Sequence, residues 1–464
     1  MSNSTSPSPH GEATTEPSTG AGAPTAPGVV NHRRAAASPS PEVRGTNGNT
    51  STTPRSPGPR HGRPTPGRHA DRLMGIDVAR GVAVLGMFVV HVGVGWTLAD
   101  GSNALIPVVS GRSAALFALL AGVSIALLSG GSRPKTGSDM GVALWRVLIR
   151  GLLMLPVGTL LTMTGAPVSV ILAYYAVFFF LAAPLMDERW KVVAGIAATL
   201  GLVGPVASFY LRGLAEDGPL AGPVAAINSY DPLVAWANDG VVNFLLTGAY
   251  PAITWMPFVL AGLAIGRLNL WSVRVRWTLV GVGGALAALA YTGSWLALNV
   301  FGGRARLESS FDAGAMADYG GAASVDDAIS EGFPGTVPLN DWAWLLTAAP
   351  HSGSPFEVYG AGGVAIAVLG VFLLVSRYLW WVLYPLAAVG ALALTTYVGH
   401  ILLIWVEQRG WLVSTPLRPI TDNLQVSVLL GSLVFATVWT LLVRRGPLEG
   451  PLHAVSMWGA KRIP

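Results

Sequence analysis

Apolar residues in this chain come in long unbroken windows, not in the alternation of strands or the narrow stripe of a soluble amphipathic helix. Stretches such as 279–300 and 426–443 are apolar on every face and long enough, at about 1.5 Å per residue, to cross a hydrocarbon core of about 30 Å. Windows of this kind lie near 75–98, 111–129, 142–163, 167–185, 190–211, 242–266, 277–299, 356–376, 385–406 and 423–443. They predict an all-α polytopic integral membrane protein with about ten transmembrane helices. Three regions follow: a disordered cytoplasmic tail over 1–70, a membrane domain over 71–450 and a short cytoplasmic tail over 451–464.

Composition sharpens this picture. Of 464 residues, 52% are hydrophobic and only 11% charged, as a chain that buries most of its length in lipid requires. The first seventy residues are rich in Ser, Thr, Pro and Gly, carry scattered arginines, and are too poor in large apolar side chains to offset their chain entropy. They also lack the apolar core of a cleavable signal peptide, so the first span is the expected insertion signal. With the amino terminus in the cytoplasm, inner loops hold Arg133, Lys135, Arg146, Arg150, Arg189, Lys191, Arg267, Arg274, Arg276, Arg377, Arg444, Arg445, Lys461 and Arg462. Outer loops hold fewer: Arg112, Arg212, Arg304, Arg306, Arg409 and Arg418. This bias places both termini in the cytoplasm and the protein in the plasma membrane, and it makes the net charge of +5 a topology signal with no claim on nucleic acid. Tryptophans near the span ends, among them Trp96, Trp190, Trp271, Trp380, Trp381 and Trp405, suit interfacial anchors. Two outer loops, 212–241 and 300–355, are longer than a connection needs and read as functional or disordered.

There is no cysteine, which removes disulfides and thiolate chemistry, and no HExxH or similar close ligand set, so no metal is expected. Four histidines stand outside the tail: His91, His351, His400 and His453. The topology brings the first three to the outer side, where a neutral imidazole can take a proton from an attacking hydroxyl. The alternative for each is a hydrogen-bonded residue between helices. Asp77 and Arg80, three apart on one helix, form an ion pair that anchors the first span, or else Arg80 reaches the phosphates of a cytoplasmic donor together with Arg146, Arg150 and Arg267. In the segment from Pro350 to Glu357, Ser354 caps the eighth span, Pro355 takes the first helical position and Glu357 completes a capping box, all structural roles. Thr395 and Thr396 suit helix packing, Tyr397 a substrate path, and Arg112 an acceptor contact or an interfacial anchor.

In order along the chain stand Arg72…Ile-Asp77-x-x-Arg80-Gly81-x-Ala83, the polar His91, Gly111-Arg112-x-x-x-Leu-Phe117-x-Leu-Leu-x-Gly122 and Phe258-Val-Leu-Ala-Gly262-x-x-x-Gly266-Arg267. Ala-Leu394-Thr395-x-Tyr397 and Arg445-Gly-Pro447-Leu-Glu449 complete the set. Scattered over most of 72–450, it resembles the transmembrane acyltransferase superfamily, which includes the lysosomal heparan-α-glucosaminide N-acetyltransferase, YeiB-like bacterial membrane proteins and acyltransferase-3 proteins. The resemblance implies an acyl-CoA donor bound from the cytoplasm, its acylated end threaded into the membrane core, and transfer to a hydroxyl or amine on the far side. It puts the catalytic polar position on His91, where heparan-type and YeiB-like members often carry asparagine and acyltransferase-3 proteins carry histidine.

The expected function is transfer of an acetyl or other short acyl group from cytoplasmic acyl-CoA to an extracytoplasmic glycan, glycolipid or exported small molecule. His91 is the expected base, with His351 or His400 orienting it, and Arg80, Arg146, Arg150 and Arg267 facing the donor phosphates. Arg112 and Tyr397 face the acceptor. Direct transfer and an acyl-histidine intermediate are both open, and membrane lipid and a second copy of the chain are the other expected partners. The competing expectation is a transporter or flippase without covalent chemistry.

Overall fold

The structure, a computed structural model, describes residues 73–93, 103–314, 316–443 and 445–462. The amino-terminal tail over 1–70 lies outside the described residues, as do Arg72, Trp96 and Arg444. Among the described residues every element is helical. Seven helices among the described residues are long and apolar enough to cross a membrane. They are α1 (Met74–Val92), a helix reaching Leu128 whose main part is α2 (Arg112–Leu128), α3 (Gly137–Thr162), α5 (Trp190–Glu216), α7 (Val273–Asn299), α8 (Pro355–Val375) and α11 (Leu424–Leu442). Between them stand two shorter apolar helices, α4 (Leu172–Ala182) and α6 (Ala252–Gly266), and a bent pair, α9 (Trp380–Ala391) and α10 (Ala393–Gln408).

Burial sorts these helices into centre and rim. In α2 72% of the apolar window is inside the protein and in α1 61%, against 11% in α11 and 17% in α3. α1 packs against α2, α8, α9, α10 and α11. Glycine permits the closest of these contacts. A Cβ on Gly81 would stand 2.0 Å from the Leu386 carbonyl oxygen, and one on Gly390 would stand 1.8 Å from that of Asp77, so α1 and α9 touch backbone to backbone. α2 and α6 meet the same way through Gly122 and Gly262.

Three departures from the hydropathy reading have physical causes. The sixth window, 242–266, is not one helix: a π-turn over Asn243–Thr247 gives way to extended backbone at Gly248 and Pro251 before α6 begins. The ninth window is broken at Leu392, where α9 and α10 meet at 73°. Breaks at membrane depth need partners for the backbone groups they free. Here the Arg80 guanidinium donates to the Gly390 carbonyl at the end of α9 (3.3 Å). The Glu449 carboxylate accepts from the Thr395 N–H (2.9 Å) and hydroxyl (2.6 Å) at the start of α10. Each charge matches the sign of the helix end it caps. Thus two motifs 54 residues apart in sequence meet in one cap. Glu449→Ala, which leaves the Thr395 donors without this partner, is expected to lower stability by about 1–3 kcal/mol in thermal unfolding, with Glu449→Gln in between. Third, the carboxy-terminal segment read as a tail forms α12 (Glu449–Ala460), which packs on α3 with Gly459 against Ile149.

The long loop after α7 is ordered around its own apolar cluster, including Leu307, Met316, Val325, Phe333 and Trp344. Short helices there start on Ser324 and Asp341, whose side chains accept from Asp327 N (3.1 Å) and Ala343 N (2.8 Å). Arg306 pairs with Asp341 at 2.8 Å. The loop closes on the segment that begins α8, through Phe333 N–H to the Pro350 carbonyl (2.9 Å).

Candidate functional site

Two groups of polar side chains stand at different depths along α1. The first forms at its carboxy-terminal end, where His91 occupies the last turn before Gly93, the left-handed cap. Its Nδ1 lies 3.0 Å from Nε2 of His400, with the two rings nearly parallel at 11°. Nδ1 of His400 lies against the Tyr397 carbonyl oxygen. A carbonyl can only accept, so in neutral His400 the proton sits on Nδ1 and Nε2 carries the lone pair. His91 then donates from Nδ1, and its Nε2 keeps an unprotonated lone pair. Phe88 packs on the His400 ring at 4.1 Å and His400 is 1% exposed, which fixes this partner in place.

His351 lies within electrostatic reach of His91. Its backbone is left-handed, φ +54°, a region open to histidine at some cost in strain. Its ring stacks on Trp255 (5.7 Å) and meets Tyr250 edge-on (5.6 Å). Burial holds the imidazole down at about 4, so His351 is neutral at physiological pH. Glu357 anchors its backbone: one carboxylate oxygen accepts from His351 N (2.5 Å), the other from Gly353 N (2.7 Å). This corrects the capping box. Ser354 does cap α8, accepting from Glu357 N at 3.0 Å with Pro355 next, but Glu357 does not return to Ser354 N, which bonds Ser352 Oγ instead.

Arg112 stands beside this loop, with Gly111 facing Pro350 and Glu357. Its Nε donates to the Tyr291 hydroxyl (2.8 Å) and Nη1 to the Pro107 and Val108 carbonyls, leaving Nη2 without a bond to a described residue. Tyr397 is wholly buried, accepts from Ile171 N (3.3 Å) and contacts the His400 ring, so its hydroxyl serves the packing of α4 on α10. Tyr250 leads on to Tyr174 (5.5 Å), whose hydroxyl donates to Asp239 (2.8 Å). Burial raises the Asp239 carboxyl to about 6, against the lowering pull of the Tyr174 bond. The folded protein holds this proton more tightly than the unfolded chain, whose carboxyl titrates near 3.9. Stability is therefore greatest below that range and falls as pH rises to about 6. Asp239→Asn is expected to melt a few degrees above wild type at pH 7, on the order of 1 kcal/mol after allowance for partial exposure, and to match it near pH 4.

The second group lies at the other end of α1. The Arg80 guanidinium bonds Asp77 (3.1 Å) and Ser124 (2.9 Å) besides Gly390, tying α1 to α2 and α9. Asp77 is buried, so the pair is internal and not an interfacial anchor. Arg150 of α3 senses the charges of Arg146 and Arg80, and His453 of α12 those of Arg445, Arg146 and Arg150. Nε of both Arg146 and Arg150 is buried without a hydrogen-bond partner, and neither arginine forms an ion pair with a described residue. Clustered guanidinium groups with unfilled donors suit a polyanion. Arg267 also has a buried Nε without a described partner, but it stands apart from this cluster and its Nη1 and Nη2 are taken. It bonds the Ala126, Ser129 and Gly131 carbonyls and Ser129 Oγ at the end of α2, and its electrostatic neighbour is Asp187.

Between the groups stands Tyr175 of α4, its buried hydroxyl without a hydrogen-bond partner among the described residues and within electrostatic reach of Arg80, Tyr397 and Tyr250. Phe117 stacks on both Tyr175 (5.4 Å) and Tyr397 (6.3 Å). Tyr175 is the residue that sequence reasoning missed, whereas it names Arg445 and His453 without a site role. A lone tyrosine in an apolar window carries no signal, whereas the Pro447-Leu-Glu449 start of a helix was there to be read. Among the described residues no group of three His, Cys, Asp or Glu side chains is placed to hold a metal ion. No family model matches the chain, and no curated protein matches its sequence.

Proposed function

We propose that this chain is a plasma-membrane acyltransferase of ten crossings, with α4, α6 and the broken α9–α10 pair each completing a span and both termini in the cytoplasm. The observation that carries the reading is the His91–His400–Tyr397 hydrogen-bond chain, which leaves an oriented lone pair on His91 Nε2. Acyl-CoA is the donor substrate. Its phosphates suit the unfilled guanidinium donors of Arg146 and Arg150, with Arg80 and Arg445 adding charge and His453, which burial and its arginine neighbours hold in the neutral form, adding a ring nitrogen. Between the arginines and the histidines its arm meets the packed aromatic groups Phe117, Tyr175 and Tyr250.

At that end a hydroxyl or amine of an extracytoplasmic glycan, glycolipid or small molecule attacks the thioester carbonyl. Its proton passes to His91 Nε2, the new acyl bond forms as the carbon–sulfur bond breaks, and the departing thiolate takes a proton to leave as CoA. His400 acts as a positioning residue that holds the His91 tautomer and shares the charge of the imidazolium. Neutral His351 donates to the developing oxyanion, and Arg112 Nη2 holds the acceptor. Transfer through an acyl-histidine uses the same groups. The test is purified protein with radiolabelled acetyl-CoA and envelope extract. Labelled product with equimolar free CoA is the expected result, whereas uptake of a solute without CoA release would make the chain a transporter.

A further inference from the structure

A groove of about 530 Å³ opens on the side of the helix bundle between α5, α6, α7 and α8. Small residues, among them Ala194, Ala198, Gly201, Ala261 and Gly362, hollow it out. The Tyr359 hydroxyl at its wall is already bonded to the Ala198 carbonyl (2.6 Å), so the surface it offers is apolar. Along α7 the lining residues fall once per turn, at Arg274, Thr278, Val282 and Leu286. Twelve residues of helix cover about 18 Å, close to the roughly 15 Å of one leaflet's hydrocarbon. The groove is thus one leaflet deep, starting where α5 and α7 begin.

The mouth has a sign. Arg274 is exposed there and pairs with no described acid, while on the opposite side Trp190 carries Lys191 over its ring at 5.8 Å. An aromatic ring and two cations at the open end of an apolar channel match a lipid whose phosphate sits at the interface and whose chain lies below it. We propose that this groove holds one acyl chain of an anionic phospholipid of that leaflet, its phosphate between Arg274 and Lys191. The proposal needs the helices to lie in a bilayer and is independent of acyl transfer.

The test uses the full chain, exchanged into lipid-free detergent and melted with phosphatidylglycerol, with phosphatidylcholine of the same chains, or with inorganic phosphate. Phosphatidylglycerol is expected to raise the melting temperature by several degrees, phosphatidylcholine less and phosphate not at all. Ala198→Trp, at an exposed position facing the groove, fills it and removes the shift; Val282→Trp, 49% exposed on the opposite wall, is the second variant should the first fail to fold. Arg274→Gln with Lys191→Gln lowers the phosphatidylglycerol shift to that of phosphatidylcholine. Retention of the full shift by a folded tryptophan variant, or equal shifts from the two lipids or from phosphate in wild type, overturns the proposal.

Discussion

Replacing His91 by alanine is expected to lower acyl-transfer turnover by about 10²–10⁴-fold, the range that one positioned general base contributes, while leaving the KM for acyl-CoA near its wild-type value. The reason is the division of labour along α1. In the proposed reading the donor phosphates face Arg146 and Arg150 on the side of Arg80, which stands about three helical turns from His91 along α1, so the base and the anion site are separate contacts. His400→Ala removes the acceptor at 3.0 Å that fixes the His91 tautomer, and costs less, because His91 remains able to take the proton from a poorer distribution of orientations. The double variant is expected to be no worse than His91→Ala alone, since the two rings act as one unit. Arg150→Ala shows the opposite split, a raised KM with kcat largely kept. Initial rates of CoA release over a range of acetyl-CoA concentrations separate these outcomes. Additive losses in the double variant would mean that His400 acts on something other than His91.

The largest effect on stability is expected at Gly262. A Cβ there would stand 1.8 Å from the Leu119 carbonyl oxygen and 2.7 Å from its carbon, and Gly122 meets Val259 with the same 1.8 Å approach from the other side. The obstruction is backbone, so no side chain can swing away. Gly262→Ala must force α2 and α6 apart, and with them Phe117, which stacks on Tyr175 and Tyr397. A loss of more than about 4 kcal/mol is expected, read as loss of a monodisperse folded species in detergent. Gly281→Ala, where nothing lies within 4 Å, is the control and is expected to be neutral or slightly stabilising.

Much of the helical layout was legible because lipid demands long apolar windows, and hydropathy measures those directly. The Asp77–Arg80 pair and the Ser354–Pro355 start of α8 were legible because their partners lie within one turn. What escaped depends on contacts distant in sequence. The break at Leu392 exists because Glu449 and Arg80 take up its backbone groups, and a window centred on 392 contains neither. The shortness of α6 follows from Gly248, whose neighbour is the Tyr174 hydroxyl of another helix. Arg267 looked like any inner-loop arginine until its guanidinium met three carbonyls at the end of α2. The two polar residues of the histidine chain, 309 positions apart, could be assigned to one side of the membrane from topology, but their tautomers depend on the Tyr397 carbonyl one turn away.

In the proposed reaction a base at one end of α1 acts on a thioester delivered from the other end. Proteoliposomes of defined orientation, given labelled acetyl-CoA on the face that exposes Arg146 and Arg150 and acceptor only on the face that exposes His91, test it most directly. Labelled acceptor on the His91 face and one free CoA per label on the other are expected, with none in His91→Ala. Product that appears only when donor and acceptor share a face, or turnover unchanged in His91→Ala, would contradict the proposed reaction.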